Sequence, residues 1–117
     1  MEPRRVPYQS GDILLADLNP VAGHERGGRR PVVVLSGPSY NELRNEQLIV
    51  AAITSRHRGL PFHTPVGTDS GLRTPSWIQP ESVRAISVQW VIRPLGRAGP
   101  ETVAEVRSRV INFLRDW

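Results

Sequence analysis

The sequence predicts an α+β fold that is mainly β: a small, strongly curved antiparallel sheet forming a partly open barrel, with one helix at the C-terminus. Three observations lead there. Five or six short apolar or β-branched runs are separated by Gly- and Pro-containing turns, the spacing of hairpin-linked strands. Only the last segment shows helical periodicity. And 117 residues suffice for one domain (1–117), whose few strands must curl and borrow the helix to enclose a core.

Residues Met1–Ser10 carry two prolines and two arginines without periodicity and read as a loose arm. Gly11-Asp12 opens the strand "DILLADL", which closes at Asn19-Pro20. Val21–Arg30 is a polar loop with three glycines. Pro31 begins "PVVVLS", whose lack of alternation predicts a strand covered on both faces. "SYNELRN", Ser39–Asn45, predicts one or two helical turns with Ser39 as N-cap. "QLIVAAITS", Gln47–Ser55, is a second buried strand, "RHRGLP" a basic turn, and "FHTPV" a short strand that its proline marks as an edge. After a loop over Gly67–Thr74, "SWIQ" re-enters the sheet, and Pro80–Ala85 predicts a turn of helix, because proline suits a first helical position. Val88–Gly96 is the last strand. Val103, Val106, Val110, Phe113, Leu114 and Trp117 then recur at helical spacing behind the start signal Gly99-Pro100-Glu101.

Composition narrows the function classes. A hydrophobic fraction of 38% with 22% charged residues is that of a globular chain, not a disordered one. No apolar run approaches the roughly 18 residues that cross a bilayer, and "MEPRRVPYQSGD" lacks the apolar region of a secretory signal; no membrane partner is expected. With no cysteine there are no disulfides or thiolate metal sites, as expected of a cytoplasmic protein. His24, His57 and His63 are far apart and read as surface residues, so no metal and no cofactor is expected. Neither a phosphate-cradling G-x-x-x-x-G-K loop nor a G-x-S-x-G elbow occurs. Net charge is +4, and all fifteen basic residues are arginine, whose planar fork grips phosphate bidentately and stacks on bases. A GC-rich genome, which encodes arginine where another would encode lysine, explains that bias equally well.

Two clusters remain. One is the Gly23–Pro31 loop with Glu25, Arg26, Arg29 and Arg30; the other is "ITSRHR", where Thr54 and Ser55 end a strand and pass into Arg56, His57 and Arg58. If those strands are neighbours, the loops meet at one rim and form an anion-binding mouth. Trp77, Trp90 and Trp117 read first as packing residues; for Trp77 and Trp90 the alternative is a stacking platform for an unpaired base.

The succession "GDILLADLNPVAGHERGGRRPVVVLS", "YN", "LIVAAITS" and "PF" resembles the MazF/PemK family of toxin endoribonucleases from toxin–antitoxin modules. The shared pieces are the Gly-Asp opening, the Asp-x-Asn-Pro turn, the Gly-x-Glu loop, Arg-Pro before a valine-rich strand, and a strand ending in Thr-Ser. The likeness is clear over Gly11–Phe62 and looser through "IQPESVRAIS", "RPLGR" and the terminal helix. It implies an SH3-like barrel like that of CcdB and PemK proteins, a homodimer, a cognate antitoxin whose acidic or amphipathic segment covers the basic rim, and metal-independent cleavage of single-stranded RNA. It assigns the catalytic arginine to Arg30 and the catalytic hydroxyl to Thr54, with RNA contacts expected from Glu25, Arg26, Arg29, Ser55, Arg56, His57, Arg58 and Gln79. Three departures stand out: His24 and Arg26 around the loop acid, Pro80-Glu81 after Gln79, and Ile13-Leu14 in place of an aromatic. A guanidinium neutralises phosphoryl charge well but is a poor base in water, which leaves His24 or His57 as alternative proton carriers. The competing reading is a CcdB-like toxin of the same fold that poisons DNA gyrase without cleaving anything; a third is a module that merely binds nucleic acid or peptide.

Overall fold

The computed structural model describes residues 8–19, 28–43 and 46–115. In chain order its elements are β1 (Asp12–Asp17), β2 (Arg29–Val34), α1 (Pro38–Asn41), β3 (Gln47–Thr54), β4 (Thr64–Pro65), β5 (Trp77–Ser87), β6 (Val91–Arg97) and α2 (Pro100–Arg115), with single 3-10 turns at Thr68–Ser70 and Val88–Trp90. The strands form one antiparallel sheet in the order β4-β5-β3-β2-β1-β6. Its two ends do not pair, so the barrel is partly open, as the sequence predicts.

The unbroken valine run of β2 has the expected cause. Val32, Val33 and Val34 are all fully buried, but in two different clusters. Val33 joins Ile13, Ala51, Ile53 and Ile78 beneath α2, while Val32 and Val34 join Leu14, Leu48, Val50 and Ile86 on the opposite face. A strand with both faces dry has no reason to alternate.

The C-terminal helix the periodicity predicts is α2, with Pro100 and Glu101 in its first turn. Val103 and Val106 are buried against the sheet. The stripe then runs off the core: Phe113 and Leu114 are exposed, although Phe113 meets the edge of Phe62 at 5.4 Å. Arg107 ties helix to sheet, donating from Nε and Nη2 to the Leu35 carbonyl at 2.9 and 2.7 Å.

Three expectations are corrected. Pro80–Ala85 is not helical but lies inside the eleven-residue strand β5. The pairing of β5 with β3 jumps between Val50↔Arg84 and Ala52↔Gln79, a bulge that contains Pro80. The Ser82 hydroxyl fills the gap, accepting from the Ala52 N–H and donating to the Gln79 carbonyl, both at 2.7 Å. A bulge tolerates a proline that a regular ladder would reject. The turn after β2 is one helical turn capped by Gly37, not Ser39. And Val88–Trp90 forms a 3-10 turn, with Ser87 accepting from the Gln89 N–H, before β6 begins.

The loop between β4 and β5 is fastened to β6 by two glycines. Gly71 has φ +78°, and a Cβ there would overlap the Leu95 carbonyl; a Cβ on Gly96 would overlap the Ser70 carbonyl. Among the described residues no helix is long and apolar enough to cross a membrane. Replacing Gly71 by Ala should strain the turn and force the loop off β6, lowering stability by about 1–3 kcal/mol in urea unfolding.

Candidate active site

One row of residues runs across four strands at the mouth of the barrel. Ala16 of β1 faces Arg30 of β2, and Thr54 of β3 faces Trp77 of β5. Between them, β2 and β3 pair at Val32↔Ala52. The β2–β3 ladder stops there, before Pro31, which has no N–H to give; the same register continued two residues further would bring Arg30 opposite Thr54, and both line one groove. Directly opposed residues of an antiparallel pair share a face, with Cβ atoms roughly 5 Å apart, so the two side chains start one strand spacing from each other.

Thr54 is held by a local turn: its Oγ1 accepts the backbone N–H of Arg56 at 3.0 Å. That bond occupies a lone pair and leaves the hydroxyl proton to be donated elsewhere. β-Branching limits the side chain's rotation further.

A groove of about 530 Å³ takes in Arg30 and Thr54 of this row. β2 contributes Arg29, Arg30 and Pro31; the end of β3 and the turn after it contribute Thr54, Ser55, Arg56 and Arg58; Gln79 closes the floor from β5. The remaining wall is the loop that Gly71 and Gly96 fasten, with Leu72, Arg73, Thr74 and Ser76. Arg29, Arg30, Arg56, Arg58 and Arg73 thus line one cleft, and none of its described lining residues is a carboxylate. The ion pairs between described residues, His63–Glu81, Arg97–Asp12 and Arg109–Glu105, include none of these five. Guanidinium groups with no counter-charge among the described residues of a concave site attract polyanions. Hydroxyl and amide donors beside them add directed bonds.

Of the residues singled out in the sequence, Arg29, Arg30, Thr54, Ser55, Arg56, Arg58 and Gln79 line this one groove. His57 is not among the lining residues, although its neighbours Arg56 and Arg58 are; its ring lies against Trp77. Glu25 and Arg26, with His24, lie outside the described residues, as does Trp117. Trp90 packs as expected, partly buried under the Arg84 guanidinium at 5.5 Å. His63 is a correction: it is buried, not at the surface, with Nε2 2.8 Å from the Glu81 carboxylate. The Leu72–Ser76 wall escaped sequence reading. Its one signal was Arg73, a lone basic residue between Gly71 and Pro75.

Known proteins share this chain's family and fold. The family described as "PemK-like, MazF-like toxin of type II toxin-antitoxin system" matches residues 9–114. The chain is 30% identical to Endoribonuclease MazF9 of Mycobacterium tuberculosis over 113 residues, covering 92% of this chain and 96% of that protein. Its fold is similar to the crystal structure of MazF (Form-I) from Deinococcus radiodurans, with TM-score 0.77, 29% identity, and 95% and 98% of the two chains covered. A chain of the MazE–MazF (Form-I) crystal structure from the same organism is similar at TM-score 0.71 and 25% identity, over 95% of this chain and 98% of that one.

Arg56→Ala and Arg58→Ala should each weaken binding of a single-stranded oligonucleotide without regard to its sequence. Each should also flatten the dependence of log K on log salt by about 0.7, measured by fluorescence anisotropy across a salt series.

Proposed function

The chain belongs to the PemK-like, MazF-like toxins of type II toxin–antitoxin systems, and we propose that it acts as an endoribonuclease that cuts single-stranded RNA at a phosphodiester held between Arg30 and Thr54. The observation that supports this best is the convergence of those two side chains, by strand register, in a groove lined with arginine. In the proposed reaction the substrate's own 2′-oxygen attacks phosphorus. A bond forms from 2′-O to P, the bond from P to the 5′-oxygen breaks, and the products are a 2′,3′-cyclic phosphate and a 5′-hydroxyl. The 2′-hydroxyl gives up one proton and the leaving 5′-oxygen gains one.

Negative charge on the phosphoryl oxygens grows in the transition state, and fixed donors placed for that charge lower the barrier. Arg30 supplies two N–H groups in one plane, suited to two oxygens at once. Thr54 supplies a single directed O–H, oriented by the bond it accepts from Arg56. The other groove arginines hold the flanking phosphates and so fix the 2′-oxygen in line. No step in this scheme needs a metal ion.

The reading includes a cognate antitoxin, whose acidic segment would compete with RNA for the same guanidinium groups. It also includes a second copy of the chain, for which the last turns of α2 offer Ile111 and Leu114, 48% and 71% exposed. The proposed place of action is the cytoplasm.

Incubating the purified protein with a long RNA in EDTA should give discrete fragments whose 5′ ends map to one short sequence; an uncut RNA would overturn the reading. Arg30→Ala and Thr54→Val should each lower the cleavage rate at least about a hundredfold, with an unchanged circular dichroism spectrum. A rate within a fewfold of the parent for either variant would remove that residue from the proposed chemistry.

A further inference from the structure

The ring of His57 lies against that of Trp77, with centroids 4.5 Å apart and planes inclined at 42°. His57 is exposed, whereas Trp77 is half-buried in β5, directly across the ladder from Thr54. On either side of His57 in sequence, Arg56 and Arg58 line the groove. An exposed imidazole in a basic turn ordinarily rotates freely; this one is backed by an indole, so its ring plane is set. We infer that His57, positioned by Trp77, is a stacking platform for the unpaired base of a nucleotide next to the cleaved bond.

This rests on the ribonuclease reading above and adds a binding subsite to it. Single-stranded nucleic acid is held by cationic side chains that follow the backbone and by flat rings on which bases lie. The turn Arg56-His57-Arg58 alternates those two chemistries along three residues. The row Arg30–Thr54–Trp77 sets the distance: Trp77 is one strand from the proposed catalytic hydroxyl, with Cβ atoms roughly 5 Å apart. A phosphate seated at Thr54 therefore has its neighbouring base within reach of the His57 ring. Because every base has a π-face, such a platform contributes affinity with little choice of base. His57 is the residue that touches the base, and Trp77 is a positioning residue behind it.

The test uses a synthetic single-stranded RNA spanning the mapped cleavage site, with a 2′-deoxyribose at the cut position so that it binds uncut. It is compared with copies carrying an abasic residue at each position in turn. One abasic position beside the cut should weaken binding to the parent protein by between about fivefold and about a hundredfold. His57→Ala should weaken binding of the intact RNA by a similar factor and lose nothing more at that abasic position. His57→Tyr keeps a flat ring and should retain the affinity and the abasic penalty. Trp77→Phe should fall between the parent and His57→Ala. The inference is overturned if the losses from His57→Ala and every abasic position simply multiply, or if His57→Tyr binds as weakly as His57→Ala, the pattern of an imidazole contact other than stacking. Should the parent cleave RNA while showing either pattern, only the stacking subsite falls. Should it cleave no RNA at all, the ribonuclease reading falls and the subsite with it.

Discussion

The register of β2 on β3 is the constraint on which the rest of the molecule depends. A slip of one residue would turn every side chain of a strand to the other face. It would carry Arg30 away from Thr54 and drive Val33 from beneath α2 into the opposite cluster. Packing alone specifies register weakly in a strand buried on both sides. Directed bonds do it here, at the end of the pair away from the groove. The Leu35 N–H donates to the Ile49 carbonyl at 2.8 Å, and the Ile49 N–H donates to the Ser36 hydroxyl at 3.1 Å. Ser36 in turn donates to the buried amide of Asn41 at 2.5 Å, and that amide donates back to the Ser36 carbonyl. A small buried polar network of this kind has few satisfied alternatives, so it fixes alignment in a way that valines cannot.

The groove sets function against stability. Five guanidinium groups gathered in one cleft repel one another, and at physiological ionic strength the field of each extends about 8 Å. The barrel holds them apart through rigid anchorage: two sit on β2, two on the turn braced by Thr54 and Trp77, and one on the loop locked against β6. Cationic side chains are thus gathered in one cleft on fixed backbone segments, where their field attracts an incoming polyanion. Arginine suits the task better than lysine, since its fork binds a phosphate in one orientation and stays charged throughout.

What could be read in the sequence was what local pattern controls. β2 and β3 announced themselves as unbroken apolar runs, and α2 as a stripe with a start signal. The Gly23–Pro31 and Ile53–Arg58 clusters were accessible because each adjoins such a run, whereas only the family resemblance singled out Arg30 and Thr54 within them. The failures share a cause in contacts between distant segments. Pro80 looked like a helix start, but only the hydroxyl of Ser82 and the ladder to β3 make it part of a bulged strand. His63 looked like a surface residue because Glu81, its partner, is 18 positions away. Leu72–Ser76 became a wall of the groove through the close approach of two glycine backbones, Gly71 and Gly96, that no periodicity reveals.

The two seams of the open sheet are both poor templates. β4 is only two residues long and ends in Pro65; β6 carries Pro94 in its middle, between the exposed Arg93 and the exposed Arg97 at its end. A proline withholds a donor, and a charged rim discourages close approach of another chain. The barrel can therefore remain unclosed, with unpaired backbone at both margins, without inviting foreign strands to extend it. A protein that displays a bare cationic cleft is protected in this way from fibrous self-association.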